Sequence, residues 1–174
     1  DRYRRQRQMC IRDSLNSVGI GLTNVIFTYI GISLIDKLGR KSLMYIGSIG
    51  YIISLTLISL SFILDWGGIL LPIFLFLFIA SHAIGQGAII WVYISEIFPN
   101  NIRSYGQSFG VSTHWVLAAI IPSLIPFLFS WIGPGIVFVF FAFMMVLQLL
   151  FTHFVMPETK GVSLEDLSKK LIKN

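Results

Sequence analysis

Residues 84–107 read IGQGAIIWVYISEIFPNNIRSYGQ, and this stretch decides what fold the chain can adopt. It opens inside an apolar segment and closes in a polar loop. Gly85 and Gly87 bracket Gln86, Trp91 follows four residues after the second glycine, and Glu96, Pro99 and Arg103 stand at the exit. A helix that only faces lipid has no need of this mixture. A helix that lines a polar pathway, with charges at its mouth, does.

The surroundings fix the solvent. Between Ser42 and Pro157 the only formal charges are Asp65, Glu96 and Arg103. Of the 174 residues 55% are hydrophobic and 12% charged, against about 25% charged in a soluble domain. Uncharged runs of this kind exceed the roughly 20 residues that cross a bilayer. The chain is read as an all-α integral membrane protein, with the lipid bilayer as its first partner. One cysteine, Cys10, excludes an internal disulfide and a cysteine metal cluster. The net charge of +5 sits in short loops and tails beside apolar spans, where membrane topology accounts for it, so no nucleic acid is expected.

Five spans are predicted. Span A covers Leu15–Ile35, B Ser42–Leu64 and C Ile69–Ser95, with Trp66-Gly67-Gly68 between B and C. Residues 104–157 carry no formal charge and are too long for one crossing; Gly133-Pro134-Gly135 divides them into D, Tyr105–Ser130, and E, Pro134–Met156. Span C is long enough to be tilted or locally unwound. Residues 14–156 thus form a five-helix bundle, and 157–174 a tail. In the tail, Ser163-Leu164-Glu165-Asp166 reads as a capping box, and Leu164, Leu167, Leu171 and Ile172 as the apolar stripe of a short surface helix.

Lys37, Arg40, Lys41, Arg103, Lys160, Lys169, Lys170 and Lys173 all fall on one face, and the B–C and D–E loops hold no basic residue. The positive-inside rule makes the A–B loop, the C–D loop and the tail cytoplasmic. The five arginines of residues 1–13 then lie on the wrong side. That segment is set apart as non-native or disordered; RQRQMCIRDS resembles translated adapter read-through, and the odd number of spans fits a truncated chain.

Charged motifs close the spans. In Asp36-Lys37-Leu38-Gly39-Arg40-Lys41, Asp36 and Arg40 can pair, each can reach another helix end, or the whole is a basic loop that fixes topology. In Glu96-Ile97-Phe98-Pro99-Asn100-Asn101-Ile102-Arg103, Pro99 stops the helix. There Glu96 and Arg103 form either a rim salt bridge, worth about 0–1 kcal/mol, or two solvated charges.

Together with Pro157-Glu158-Thr159-Lys160-Gly161, these motifs resemble those of the sugar porter family of the major facilitator superfamily. D-x-x-G-R-[RK] stands as DKLGRK, E-x-F-P-x-x-x-R as EIFPNNIR, and P-E-T-K-G is intact. The resemblance covers about Ser17 to Leu167 and implies helices eight to twelve of twelve, most of the C-terminal six-helix bundle. It implies alternating access for a monosaccharide bound between two bundles, the N-terminal one missing here. By motif position it implies solute contacts at Asn24, Gly87, Trp91, His114 and Trp115. It also implies cytoplasmic gate ion pairs among Asp36, Arg40, Glu96 and Arg103.

Each site residue has a plainer reading. Asn24 can bridge two helices, and the tryptophans can be interfacial anchors, although Trp91 and Trp115 lie inside their spans. The chain departs from the family pattern where many members have prolines before Trp91; here only Gly85 and Gly87 soften the helix. His114 replaces a usual amide and His82 a common aromatic; intramembrane histidines face a cavity or another helix. No cofactor or metal is expected, and the family's proton-coupling acid lies in a helix absent here. The scattered His82, His114 and His153, with no HExxH or GxSxG, do not make an enzyme. A major facilitator carrier of another neutral solute, such as a polyol, and a non-transporting sugar sensor are the alternatives.

Overall fold

The computed structural model describes residues 2–66 and 70–161, with side chains from Ser14 onward. The expected start of span C at Ile69, part of the separator before it and the surface helix at 163–172 lie outside the described residues. Six helical segments follow one another: α1 (Arg2–Leu38), α2 (Arg40–Ile63), α3 (Leu70–Ile84), α4 (Gln86–Ile97), α5 (Arg103–Ile132) and α6 (Pro134–Phe154). α3 and α4 together make one crossing, so the described residues hold five apolar spans of 21 to 30 residues. At 1.5 Å per residue these are about 30–45 Å long, enough for a bilayer core of about 30 Å. The molecule is a multi-pass membrane protein.

One boundary differs from expectation, and one irregularity is where the glycines suggest it. α1 extends back to Arg2 rather than starting at Leu15, because no proline or glycine interrupts the intervening residues. Span C is broken at Gly85, whose φ of −91° and ψ of −104° are not helical. The missing prolines are therefore not needed for a break. Gly85 lies where α2 crosses: a Cβ placed on it would stand 2.6 Å from the Gly47 Cα. Two glycines meeting backbone to backbone draw the helices together, as small residues do in membranes.

α2 is the central helix, packed most extensively on α6 and α3. Its buried face carries Ser48, Ser54, Ser59 and Ser61 among Leu43, Leu55 and Ile58. A hydroxyl away from water needs a partner. Ser59 Oγ donates to the Gly135 carbonyl on α6 at 2.8 Å, and Ser48 Oγ accepts from Gln86 Nε2 at 3.1 Å. Toward α6, Tyr51 and Leu55 pack with Ala142, Phe138 and Phe141, and Phe62 stacks on Phe138 at 5.7 Å. A second cluster, Ile35, Leu43, Met44, Ile89 and Met156, ties the charged end of the bundle together. α5 differs from the rest: among the described helices it packs on α4 and α6 alone, and none of its residues is buried.

Candidate functional site

The site residues fall into two groups at different depths. The deeper group lies beyond the break. Gly85 ends α3, α4 starts again at Gln86, and Trp91 follows on its exposed side, 36% accessible. α5 runs alongside and brings His114 up to it. The Trp91 and His114 rings meet edge-on at 4.9 Å, and His114 meets Trp115 edge-on at 5.5 Å. The three rings form one continuous aromatic surface across two helices. Trp115 is 63% accessible, so the residue is left largely open. A flat apolar face with an N–H at its edge matches the C–H surface and hydroxyl rim of a sugar.

Gly87 sits within this group. A Cβ there would stand 3.0 Å from the His82 carbonyl and 3.1 Å from His82 Nε2, so a side chain would displace the imidazole. Asn24 is not joined to the aromatic surface. It lies exposed on α1 and accepts a hydrogen bond from Thr28 Oγ1 at 3.0 Å. No hydrogen bond or ring contact among the described residues links it to Trp91, His114 or Trp115. About two turns further along the same face of α1, Gly31 abuts the Ile84 carbonyl, which puts Asn24 on the side of α1 that approaches the break.

The second group lies at the charged end, and here both readings of the Glu96–Arg103 loop, a rim pair or two solvated charges, are corrected. Glu96 does not bind Arg103. Arg40 takes both of its oxygens, Nη2 to Oε1 at 2.7 Å and Nε to Oε2 at 3.1 Å. Thr159 Oγ1 adds a third bond to Oε2 at 2.6 Å. The pair is largely covered, with the Arg40 side chain 12% and that of Glu96 20% accessible. Such a bidentate, charge-assisted contact is stronger than the rim pair expected from the loop spacing. Arg103 instead donates Nε to the Phe98 carbonyl at 3.3 Å, and its buried Nη2 has no partner among the described residues. Asp36 meets Arg40 at 3.1 Å as its spacing suggests, but it is 83% accessible and contributes little.

Glu158 and Thr159 complete this group, and sequence reasoning gave them no task of their own. Their only signal was the P-E-T-K-G motif. Glu158 accepts the backbone N–H groups of Arg40 and Lys41 at 2.9 and 3.0 Å. α2 has no side-chain cap from its own N-terminal residue, because Gly39 occupies that position with φ 91°. The carboxylate arriving from the far end of the chain satisfies those two donors and sits at the positive end of the helix dipole.

A protein-family profile described as "Sugar (and other) transporter" matches residues 7–171. The chain belongs to that sugar transporter family. The arabinose-proton symporter of Bacillus subtilis (strain 168) is 37% identical over 155 residues, which are 88% of this chain and 33% of the symporter. The Arabidopsis thaliana protein named probable polyol transporter 3 is 36% identical over 162 residues, 89% of this chain and 32% of that protein. The inward-open xylose transporter XylE of E. coli superimposes with a TM-score of 0.83 at 31% identity, over 92% of this chain and 36% of the transporter. The chain spans about a third of the length of these sugar transporter family relatives. Its all-α architecture is the expected one, five transmembrane helices of a major facilitator fold.

Proposed function

We propose that this chain is the C-terminal share of a carrier that moves a monosaccharide across a membrane by alternating access. One observation carries the reading: Trp91, His114 and Trp115 form a joined aromatic surface on α4 and α5 that the other described helices leave open. Gly87 beside it leaves room for the His82 imidazole at the edge of this surface, and Asn24 supplies an amide from α1. The names of the arabinose symporter and the xylose transporter support a pentose. An N-terminal bundle of the same protein covers this face and closes the site. The Asp36–Arg40–Glu96 network, with Glu158 and Thr159, is the latch on the cytoplasmic side, where the A–B and C–D loops lie by the positive-inside rule. It parts when that side opens.

Trp91→Ala in the intact transporter tests this. Sugar uptake into proteoliposomes should fall severely, while Trp66→Ala, in the loop after α2, should leave it near wild type. Equal uptake by wild type and Trp91→Ala would remove the site. No cofactor enters the scheme. Proton coupling, present in the name of the arabinose symporter, would be seen as alkalinisation of the medium on sugar addition. A second reading, a polyol carrier, is favoured by the similarity to probable polyol transporter 3. Competition by linear polyols that exceeds competition by aldoses would select it.

A further inference from the structure

His82 and Tyr51 lie outside the site assigned above, yet they adjoin it. His82 projects from α3 just before the break. Its Nε2 borders the space over Gly87, 3.1 Å from where a Cβ would be. Gly87 lies one helical turn before Trp91 on α4, so His82 borders the same site as the indoles. The other ring nitrogen of His82, Nδ1, is hydrogen-bonded to the Tyr51 hydroxyl of α2. Tyr51 is itself buried and held edge-on by Phe78, with ring centroids 4.9 Å apart.

The pair fixes a tautomer. A neutral imidazole carries one N–H. The Tyr51 hydroxyl has no other hydrogen-bond partner among the described residues. If Nδ1 carried the proton, the phenol would accept it and its own O–H would be buried without an acceptor, which is unfavourable. If the phenol donates to a bare Nδ1, the phenol O–H and Nδ1 are both satisfied and the proton lies on Nε2, free for another acceptor. That N–H then stands beside Gly87. A phenyl ring in the same place would supply surface but no donor.

We propose that His82 contacts the solute, donating its Nε2–H to one sugar hydroxyl oxygen above Gly87, and that Tyr51 is the positioning residue that holds the imidazole in the donating tautomer. This rests on the sugar-carrier reading. It adds to that reading a directed hydrogen bond, which selects among sugars by the presence of one hydroxyl.

The test uses the intact transporter in proteoliposomes with radiolabelled D-xylose, L-arabinose and D-glucose. For each sugar that is taken up, its single-deoxy analogues serve as competitors. His82→Phe should raise KM about tenfold or more with a smaller change in maximal rate. One deoxy analogue, the one lacking the contacted hydroxyl, should compete equally against wild type and His82→Phe. His82→Gln, which keeps a donor, should recover part of the discrimination. Tyr51→Phe should weaken binding less than His82→Phe and have no further effect in its background. If His82→Phe does not reach the membrane, His82→Gln and Tyr51→Phe carry the same comparison. Uptake with discrimination among deoxy analogues unchanged in the His82 variants, or fully additive losses with Tyr51→Phe, would overturn this proposal alone. No uptake of any aldose by wild type would overturn the carrier reading and this one with it.

Discussion

Glu158 caps the helix that begins at Arg40 from the other end of the chain, its Oε1 accepting the Arg40 backbone N–H at 2.9 Å. The same carboxylate also accepts the N–H groups of Lys41, Thr159 and Lys160, at 3.0 to 3.1 Å. The start of α2 and the end of the last span are thereby one unit. Lys160 Nζ reinforces it with a bond to the Lys37 carbonyl at 2.6 Å.

Glu158→Ala should therefore behave as the loss of a helix cap. It leaves donors at the start of α2 without their acceptor, and the expected destabilisation is about 1–2 kcal/mol. The thermal midpoint in detergent should fall, and Glu158→Gln, which keeps an acceptor oxygen, should fall less. Equal midpoints for Glu158→Ala and wild type would show the cap to be inert.

Gly39→Ala attacks the same contact from the opposite side. Its φ of 91° is strained for an L residue by roughly 1–2 kcal/mol, and its Cβ would stand 2.6 Å from Glu158 Oε2. Both effects act together, so this variant should melt below Glu158→Ala. A midpoint above that of Glu158→Ala would mean that the carboxylate moves aside without loss.

Arg40→Lys should fail as a conservative change. Lysine replaces a planar fork that binds Glu96 through two nitrogens and reaches Asp36 with a third. The loss should be about 1–3 kcal/mol, typical of hydrogen bonds to charged groups. Arg103→Lys should not mimic it, because Arg103 makes no salt bridge among the described residues. Equal effects of the two substitutions on thermal stability would reinstate the Glu96–Arg103 pairing.

Two glycines on neighbouring spans should respond with opposite signs. Gly85→Ala drives a methyl into the Gly47 Cα and should destabilise by about 1–3 kcal/mol, as overpacking does. Gly21→Ala meets nothing within 4 Å in the middle of α1. It should be neutral or stabilise by about 0.5–1 kcal/mol, the usual handicap of a helical glycine. Thermal midpoints of both variants decide the matter, and a tolerated Gly85→Ala would sink the close crossing.

The five spans were legible because a charge in hydrocarbon is costly, so the uncharged runs could only be crossings. The division of the charge-free stretch at Gly133 was legible for a similar local reason: Gly133 has φ 80° and Pro134 opens α6. The partner of Glu96 was not. Arg103 is close in sequence and was the natural choice, whereas Arg40 and Thr159 are 56 and 63 residues away and reach Glu96 only after α2, α4 and the closing loop have packed. Trp91, His114 and Trp115 came from a family resemblance, and their ring contacts join them. Tyr51 gave no signal, because a tyrosine inside a greasy span looks like packing until its hydroxyl is seen against a histidine. Asn24 was chosen by the same resemblance as the indoles, yet its one described bond is local.

Each contact of α2 carries polar ties as well as packing. Where it crosses the interrupted span at Gly47 and Gly85 the main chains lie close, and Gln86 bonds Ser48 while Tyr51 bonds His82 across the same contact. Toward α6, the stacked Phe62 and Phe138 rings and the Ser59 bond to Gly135 make the second tie. α2 is therefore the keystone of the bundle, and α5, which has no buried residue, is the span with the least to hold it in place.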